Sequence, residues 1–111
     1  MDLQHLVDPA PLRTLRDDYG DDLATRLVGV FETTATATLV ELRAAREAGD
    51  PDEVRRLAHR LKGSARNVGA TAIAELAAAA EQDASAPVGR LGAALEPTCA
   101  QLRATLAGRV H

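Results

Sequence analysis

A histidine followed closely by a lysine and a glycine is the part of this sequence best suited to chemistry. His59, Lys62 and Gly63 lie within about one turn of a predicted helix. A neutral imidazole is a nucleophile near neutral pH, and phosphoryl transfer requires in-line positioning and positive charge on the phosphoryl oxygens. These residue types predict that His59 accepts a phosphoryl group, that Lys62 neutralises its charge and that Gly63 lets a second molecule approach closely.

The helical pattern turns His59 away from the core. At about 100° per residue, Leu57, Leu61 and Val68 cluster opposite the histidine. Glycine in the middle of a helix costs about 1 kcal/mol relative to alanine, and Gly63 supports no turn. Its position one turn from His59 is interpreted as an opening for a docking partner.

Three more residues of this helix are candidates for binding. Arg55 and Arg66 lie on the same side as His59, one and two turns away, where they supply outer positive charge. Ser64 lies at the edge of the apolar stripe, and its hydroxyl is expected to bond a carbonyl one turn back.

An acidic residue on the following helix is predicted to orient the imidazole. If the two helices form an antiparallel hairpin about Gly69, His59 lies ten residues before the turn and Glu81 twelve after it. At about 1.5 Å per residue the two offsets are roughly 15 and 18 Å, a close match. A Glu81 carboxylate that accepts the Nδ1 hydrogen would leave Nε2 free to attack.

Five helical segments and no strand are predicted around these residues. Their expected spans are 8–9 to 20, 21 or 22 to 49, 50–51 to about 68, 70 to about 84, and 87 onward, with Pro97 expected to kink or restart the last one. The pattern indicates an all-α fold, an antiparallel up-down-up-down four-helix bundle whose short extra N-terminal helix covers one end.

Start signals and apolar stripes give more detailed expectations. Asp21 or Asp22 is expected to cap the second helix, and Glu53 to reach back to the Asp50 cap of the third. The predicted buried stripes are Leu23, Leu27, Val30, Phe31, Thr34, Thr38 and Leu42 on the second helix, Ile73, Leu76, Ala77 and Ala80 on the fourth, and Val88, Leu91, Leu95, Cys99, Leu102 and Leu106 on the last.

Composition excludes several classes of function. The 111 residues are expected to form one domain, 1–111, and a net charge of −3 gives no reason to expect a nucleic-acid partner. No apolar run is long enough for a membrane span and the acidic start does not read as a signal peptide, so a cytoplasmic location is expected. A bundle with its short leading helix is expected to fold alone, as a monomer. Cys99 is the single cysteine and reads as a core residue, while His5 and His111 have no companions at metal-ligand spacing.

The chain resembles the histidine phosphotransfer (HPt) family of two-component phosphorelays. The likeness rests on the run His59-Arg60-Leu61-Lys62-Gly63-Ser64-Ala65, on the Val68-Gly69-Ala70 turn and on Glu81, and extends to Phe31, Ala48-Gly49-Asp50 and Asp8-Pro9. The family pattern reads His-x-Leu-Lys-Gly-Ser-Ser/Ala, then a hydrophobic-Gly-Ala turn and a Glu or Gln. One departure is Ala80, where leucine is common.

The resemblance implies a phosphocarrier rather than an enzyme. His59 would be phosphorylated on Nε2, Lys62 would neutralise the phosphoryl group, Gly63 would permit docking and Glu81 would hold the ring. The implied partners are response-regulator receiver domains and a sensor histidine kinase. No cofactor of its own is implied, and Mg²⁺ is expected on the receiver side.

Two other functions stay open at this point. The first is a docking module of HPt shape that carries no phosphate. Loss of the histidine, the lysine or the glycine would favour this alternative, and all three residues are present. The second is the phosphoacceptor segment of a chemotaxis-type histidine kinase, towards which glutamate rather than glutamine at position 81 leans. Incubation with candidate kinases and ATP distinguishes this segment from a relay fed only by receivers.

Overall fold

The structure, a computed structural model, describes residues 6–86 and 88–107. This part of the chain is all-helical and contains no strand, as predicted. Its five helices are α1 (Ala10–Tyr19), α2 (Asp21–Glu47), α3 (Pro51–Val68), α4 (Thr71–Gln82) and α5 (Gly89–Leu106).

The ends of α3 follow from residues next to it in the chain. The Asp50 carboxylate accepts a hydrogen bond from the backbone N–H of Glu53 at 3.1 Å, and Pro51 occupies the first turn. At the other end Gly69 has a left-handed φ of 81°, and Ala70 N–H donates to the Ala65 carbonyl at 2.8 Å. This C-terminal motif stops the helix and turns the chain towards α4.

Two predicted caps are wrong. The Glu53 side chain does not reach back to Asp50, because it binds Arg56, while the Asp50 N–H donates to the Ala45 carbonyl at 3.0 Å. Neither Asp21 nor Asp22 caps α2, because the chain leaves α1 through Gly20, which has a φ of 97° and itself occupies the cap position.

The buried face of α2 is rotated from the predicted one. Val30 is 55% exposed and Thr34 is also exposed, so both lie outside the core. The buried residues are Ala24, Val28, Phe31, Ala35, Thr38, Leu39, Leu42 and Ala45. The prediction gave most weight to large apolar residues, whereas small alanines form part of this face because they let neighbouring helices approach closely.

The last two helices differ from expectation at their ends. α4 ends at Gln82 rather than near residue 84. Leu76, predicted to be buried, is only half-buried, and Ala74 is buried instead. Pro87, the expected start of the last helix, lies outside the described residues. α5 runs through Pro97 without a break, so a restart there is wrong, and the alternative of a kink stays a prediction.

The core lies between the four longer helices. α2 packs against α3 and α5, α4 packs against the same two helices, and α1 contacts α2, α3 and α5. The core is aliphatic apart from Phe31 and Cys99. None of the described helices is both long and apolar enough to cross a bilayer.

Candidate functional site

His59 lies on the outer face of α3. Its side chain is 70% exposed, whereas Leu57 and Leu61, two residues to either side, are buried in the core. This is the consequence of a strongly amphipathic helix, in which the apolar stripe fixes where every other side chain points. The imidazole is therefore accessible to a second protein.

Glu81 of α4 contacts the ring from the neighbouring helix. Its Oε2 atom lies 2.5 Å from His59 Nδ1, and the Glu81 side chain as a whole is 26% exposed. A carboxylate at this nitrogen favours the tautomer that carries the hydrogen on Nδ1, which then donates to Glu81. The lone pair of Nε2 is left free.

Lys62 contacts the second oxygen of the same carboxylate. Its ammonium donates to Glu81 Oε1, and the lysine side chain is only 17% exposed. The Lys62 hydrogen bond is the main reason that the pKa of Glu81 lies below its ordinary value; partial desolvation opposes this effect and the His59 contact reinforces it. Glu81 thus bridges the two residues, with one carboxylate oxygen on Lys62 and the other on His59.

The contact between Lys62 and Glu81 was missed by sequence reasoning, which assigned the lysine to the phosphoryl group alone. A signal was available. His59 and Lys62 are three residues apart on one face of α3, so a carboxylate that reaches the histidine also lies within reach of the lysine.

Gly63 leaves bare backbone beside this group. A methyl group placed on it would have no atom within 4 Å beyond its own helix backbone. The residue is exposed and lies one turn after His59. The surface next to the imidazole is therefore open to close approach.

The remaining predicted residues take different positions. Ser64 is half-buried, and its hydroxyl makes no hydrogen bond with another described residue, so the expected bond one turn back is not found. The Nη1 atom of Arg55 lies 3.3 Å from Oδ1 of Asp52 in a surface ion pair. Arg66 is exposed on the histidine side of α3 and has no ion pair within the described ranges.

Two other arginines of α3 bind carboxylates away from the imidazole. Arg56 pairs with Glu53 at 2.7 Å, and Arg60 lies 3.7 Å from Glu41 of α2. Neither contacts His59 or Glu81. In residues 6–86 and 88–107 no three histidine, cysteine or acidic side chains are grouped so that they could hold a metal ion.

Comparison with models of protein families gives a match. Residues 26–107, which contain the whole His59–Lys62–Glu81 group, match the family model described as Hpt domain. No curated protein and no solved structure matches the chain.

Proposed function

The chain belongs to the Hpt domain family of two-component phosphorelays, whose members are phosphocarriers without an ATP site of their own, and from that premise we propose that it carries a phosphoryl group on His59. Nε2 is the proposed acceptor atom. The proposed partners are response-regulator receiver domains and a sensor histidine kinase, with Mg²⁺ bound on the receiver.

One observation carries this proposal. His59 is 70% exposed, and its Nδ1 atom is held 2.5 Å from the Glu81 carboxylate. The ring is therefore oriented without being covered, and the nitrogen that faces solvent is the one with a free lone pair.

The proposed step balances without a further reactant. The Nε2 lone pair attacks the phosphorus of a receiver aspartyl phosphate, the P–N bond forms, and the bond from phosphorus to the aspartate oxygen breaks. The aspartate leaves as a carboxylate, and the Nδ1 hydrogen stays shared with Glu81, whose charge stabilises the cationic ring. The same contacts serve the reverse direction.

Lys62 is proposed to balance the phosphoryl charge. Its ammonium lies one helical turn from His59 and is a compact cation on a flexible stem, which suits a group that arrives and leaves. When a phosphoryl group is present, the ammonium is proposed to stay near Glu81 and turn one of its three hydrogens towards a phosphoryl oxygen.

We also propose the antiparallel up-down-up-down order for α2 to α5. Cross-helix contacts support it in two ways. Between consecutive helices, the paired residues lie at similar distances before and after the turn, and between α2 and α5 the later residue of α2 meets the earlier residue of α5. The pairs are Glu41 with Arg60, His59 with Glu81, Glu32 with Arg103, and Arg43 with Gly92. Short connections between neighbouring helices lead to the same order.

A transfer assay tests the phosphocarrier function. Receiver domains phosphorylated with labelled phosphate are mixed with the purified chain, and label on the chain is expected to be acid-labile and base-stable. The His59→Gln variant is expected to accept none while keeping its helical circular dichroism, because the side chain is largely exposed. Label that persists in this variant would place the site elsewhere.

A further inference from the structure

The cations of α3 differ in whether the protein already neutralises them. Most have a carboxylate partner: Arg55 pairs with Asp52, Arg56 with Glu53, Arg60 with Glu41 and Lys62 with Glu81. Arg66 is the exception among the described residues, since no carboxylate lies within ion-pair distance of it. Its guanidinium is available without the breaking of an existing contact.

Arg66 is also aligned with the phosphoacceptor. It follows His59 by seven residues, which is about two helical turns, or roughly 10 Å along the axis. Gly63 lies between them at steps of four and three, so all three occupy one line on the outer face. A partner surface that comes close to His59 over the bare backbone of Gly63 then meets Arg66 next.

The surroundings of Arg66 limit what can bind there. The residue lines a cavity of about 340 Å³ together with residues of α1 and α4, among them Ala78. The carboxylates of Asp8 and Glu75 line other parts of the same cavity. Their negative charges disfavour an acidic group inside the cavity, so the favoured contact is a carboxylate on the exposed side of Arg66.

We propose that Arg66 binds a carboxylate side chain of the receiver domain, at about 10 Å from the phosphoryl-transfer site, and so selects and orients the receiver. This inference rests on the phosphotransfer function proposed above. The planar guanidinium binds a carboxylate through two parallel hydrogen bonds, which fix direction as well as attraction. A charge at the rim of an interface acts mainly on the rate of association and on its salt dependence.

The experiment uses the full chain and a receiver that exchanges phosphate with it in the transfer assay. At low salt, Arg66→Ala is expected to slow transfer by about fivefold and Arg66→Glu by more than about tenfold. The difference in transfer rate between the wild type and the Arg66 variants should shrink near 1 M salt, where the screening length is about 3 Å. Arg60→Ala, the matched control, removes an exposed arginine of the same helix that already has a partner.

Phosphoramidate, a small phosphoryl donor, separates docking from chemistry. It is expected to label the Arg66 variants at the wild-type rate, because no receiver has to dock. Equal slowing by Arg66→Ala and Arg60→Ala, or no slowing by either, would overturn the role of Arg66 while His59 is still labelled. Failure of both phosphoramidate and every receiver to label His59 would overturn the phosphotransfer function itself, and this inference with it.

Discussion

Gly63 in α3 and Gly92 in α5 are both glycines inside helices, yet their surroundings are opposite. A methyl group at Gly92 would lie 2.6 Å from a guanidinium nitrogen of Arg43, whereas one at Gly63 would meet nothing within 4 Å. The first glycine makes room for a side chain of its own protein. The second leaves open surface one turn from His59, as the proposed docking of a receiver requires.

The carboxylates that join the helices show the same contrast. Glu32 of α2 meets Arg103 of α5 in a surface ion pair, and the guanidinium has no nucleophilic atom. Glu81 of α4 meets His59 and Lys62 of α3, and the histidine keeps its second nitrogen free. The two carboxylates therefore differ in the chemistry of their partners, because an exposed imidazole with a free nitrogen can act as a nucleophile and a guanidinium cannot.

The largest expected effect separates the two carboxylates. Glu81→Ala is expected to lower the rate of phosphoryl transfer by about tenfold or more, because the ring loses the group that fixes its tautomer and orientation. Glu32→Ala removes a surface ion pair that does not involve His59 and is expected to leave the rate unchanged. Single-turnover transfer from a phosphorylated receiver measures both.

Glu81→Gln sharpens this comparison. Its amide oxygen can still accept the Nδ1 hydrogen, so transfer should be faster than in the alanine variant. A glutamine variant as slow as alanine would mean that the negative charge matters more than orientation. Equal rates for Glu81→Ala and Glu32→Ala would contradict the special position of Glu81.

The two glycines give the next prediction. Gly63→Ala is expected to raise the free energy of unfolding by about 0.5–1 kcal/mol, because alanine favours the helix and nothing obstructs the methyl group. Gly92→Ala should raise the free energy of unfolding by less, because the Arg43 guanidinium must move to make room for the methyl group. Urea denaturation measures both changes.

Transfer assays add a second readout for Gly63. Gly63→Ala is expected to slow transfer from a receiver but not labelling by phosphoramidate, since the added methyl group hinders only a docked protein. Gly92→Ala should affect neither rate. A Gly63 variant with an unchanged receiver rate would show that the bare backbone is not used for docking.

The smallest effect concerns the titration of Glu81. Its lowered pKa means that the stabilisation from its ion contacts is complete above the ordinary pKa of a glutamate and is lost as the pH falls through the lowered value. Lys62→Met removes the main cause, so the midpoint of Glu81 should move upwards. Carboxyl ¹³C NMR follows this titration directly.

Arg56→Met is the matched control for that titration. The pKa of Glu53 is lowered mainly by its hydrogen bond from Arg56, so this variant should move Glu53 and leave Glu81 in place. Lys62→Met should move the titration midpoint of Glu81 and leave that of Glu53 in place. If Glu81 failed to respond to loss of Lys62, the bridging position of the carboxylate would be wrong.

Local signals in the sequence predict α3 well and the face of α2 less well. Asp50, Pro51 and Gly69 act on backbone groups only a few residues away, so the limits of α3 follow from them directly. The α2 face depends on how closely other helices approach. Small Ala35 is buried there while the larger Val30 is exposed, and residue size alone does not reveal this.

The sequence by itself determined the all-helical class, the limits of α3 and the outward direction of His59, because helical periodicity and capping act over a few residues. Tertiary structure decided that the two oxygens of Glu81 divide between His59 and Lys62, that Gly63 stays bare while Gly92 is covered, and that Arg66 lacks a described carboxylate partner. These features depend on distances between side chains on different helices, and only the packing of the apolar faces sets those distances.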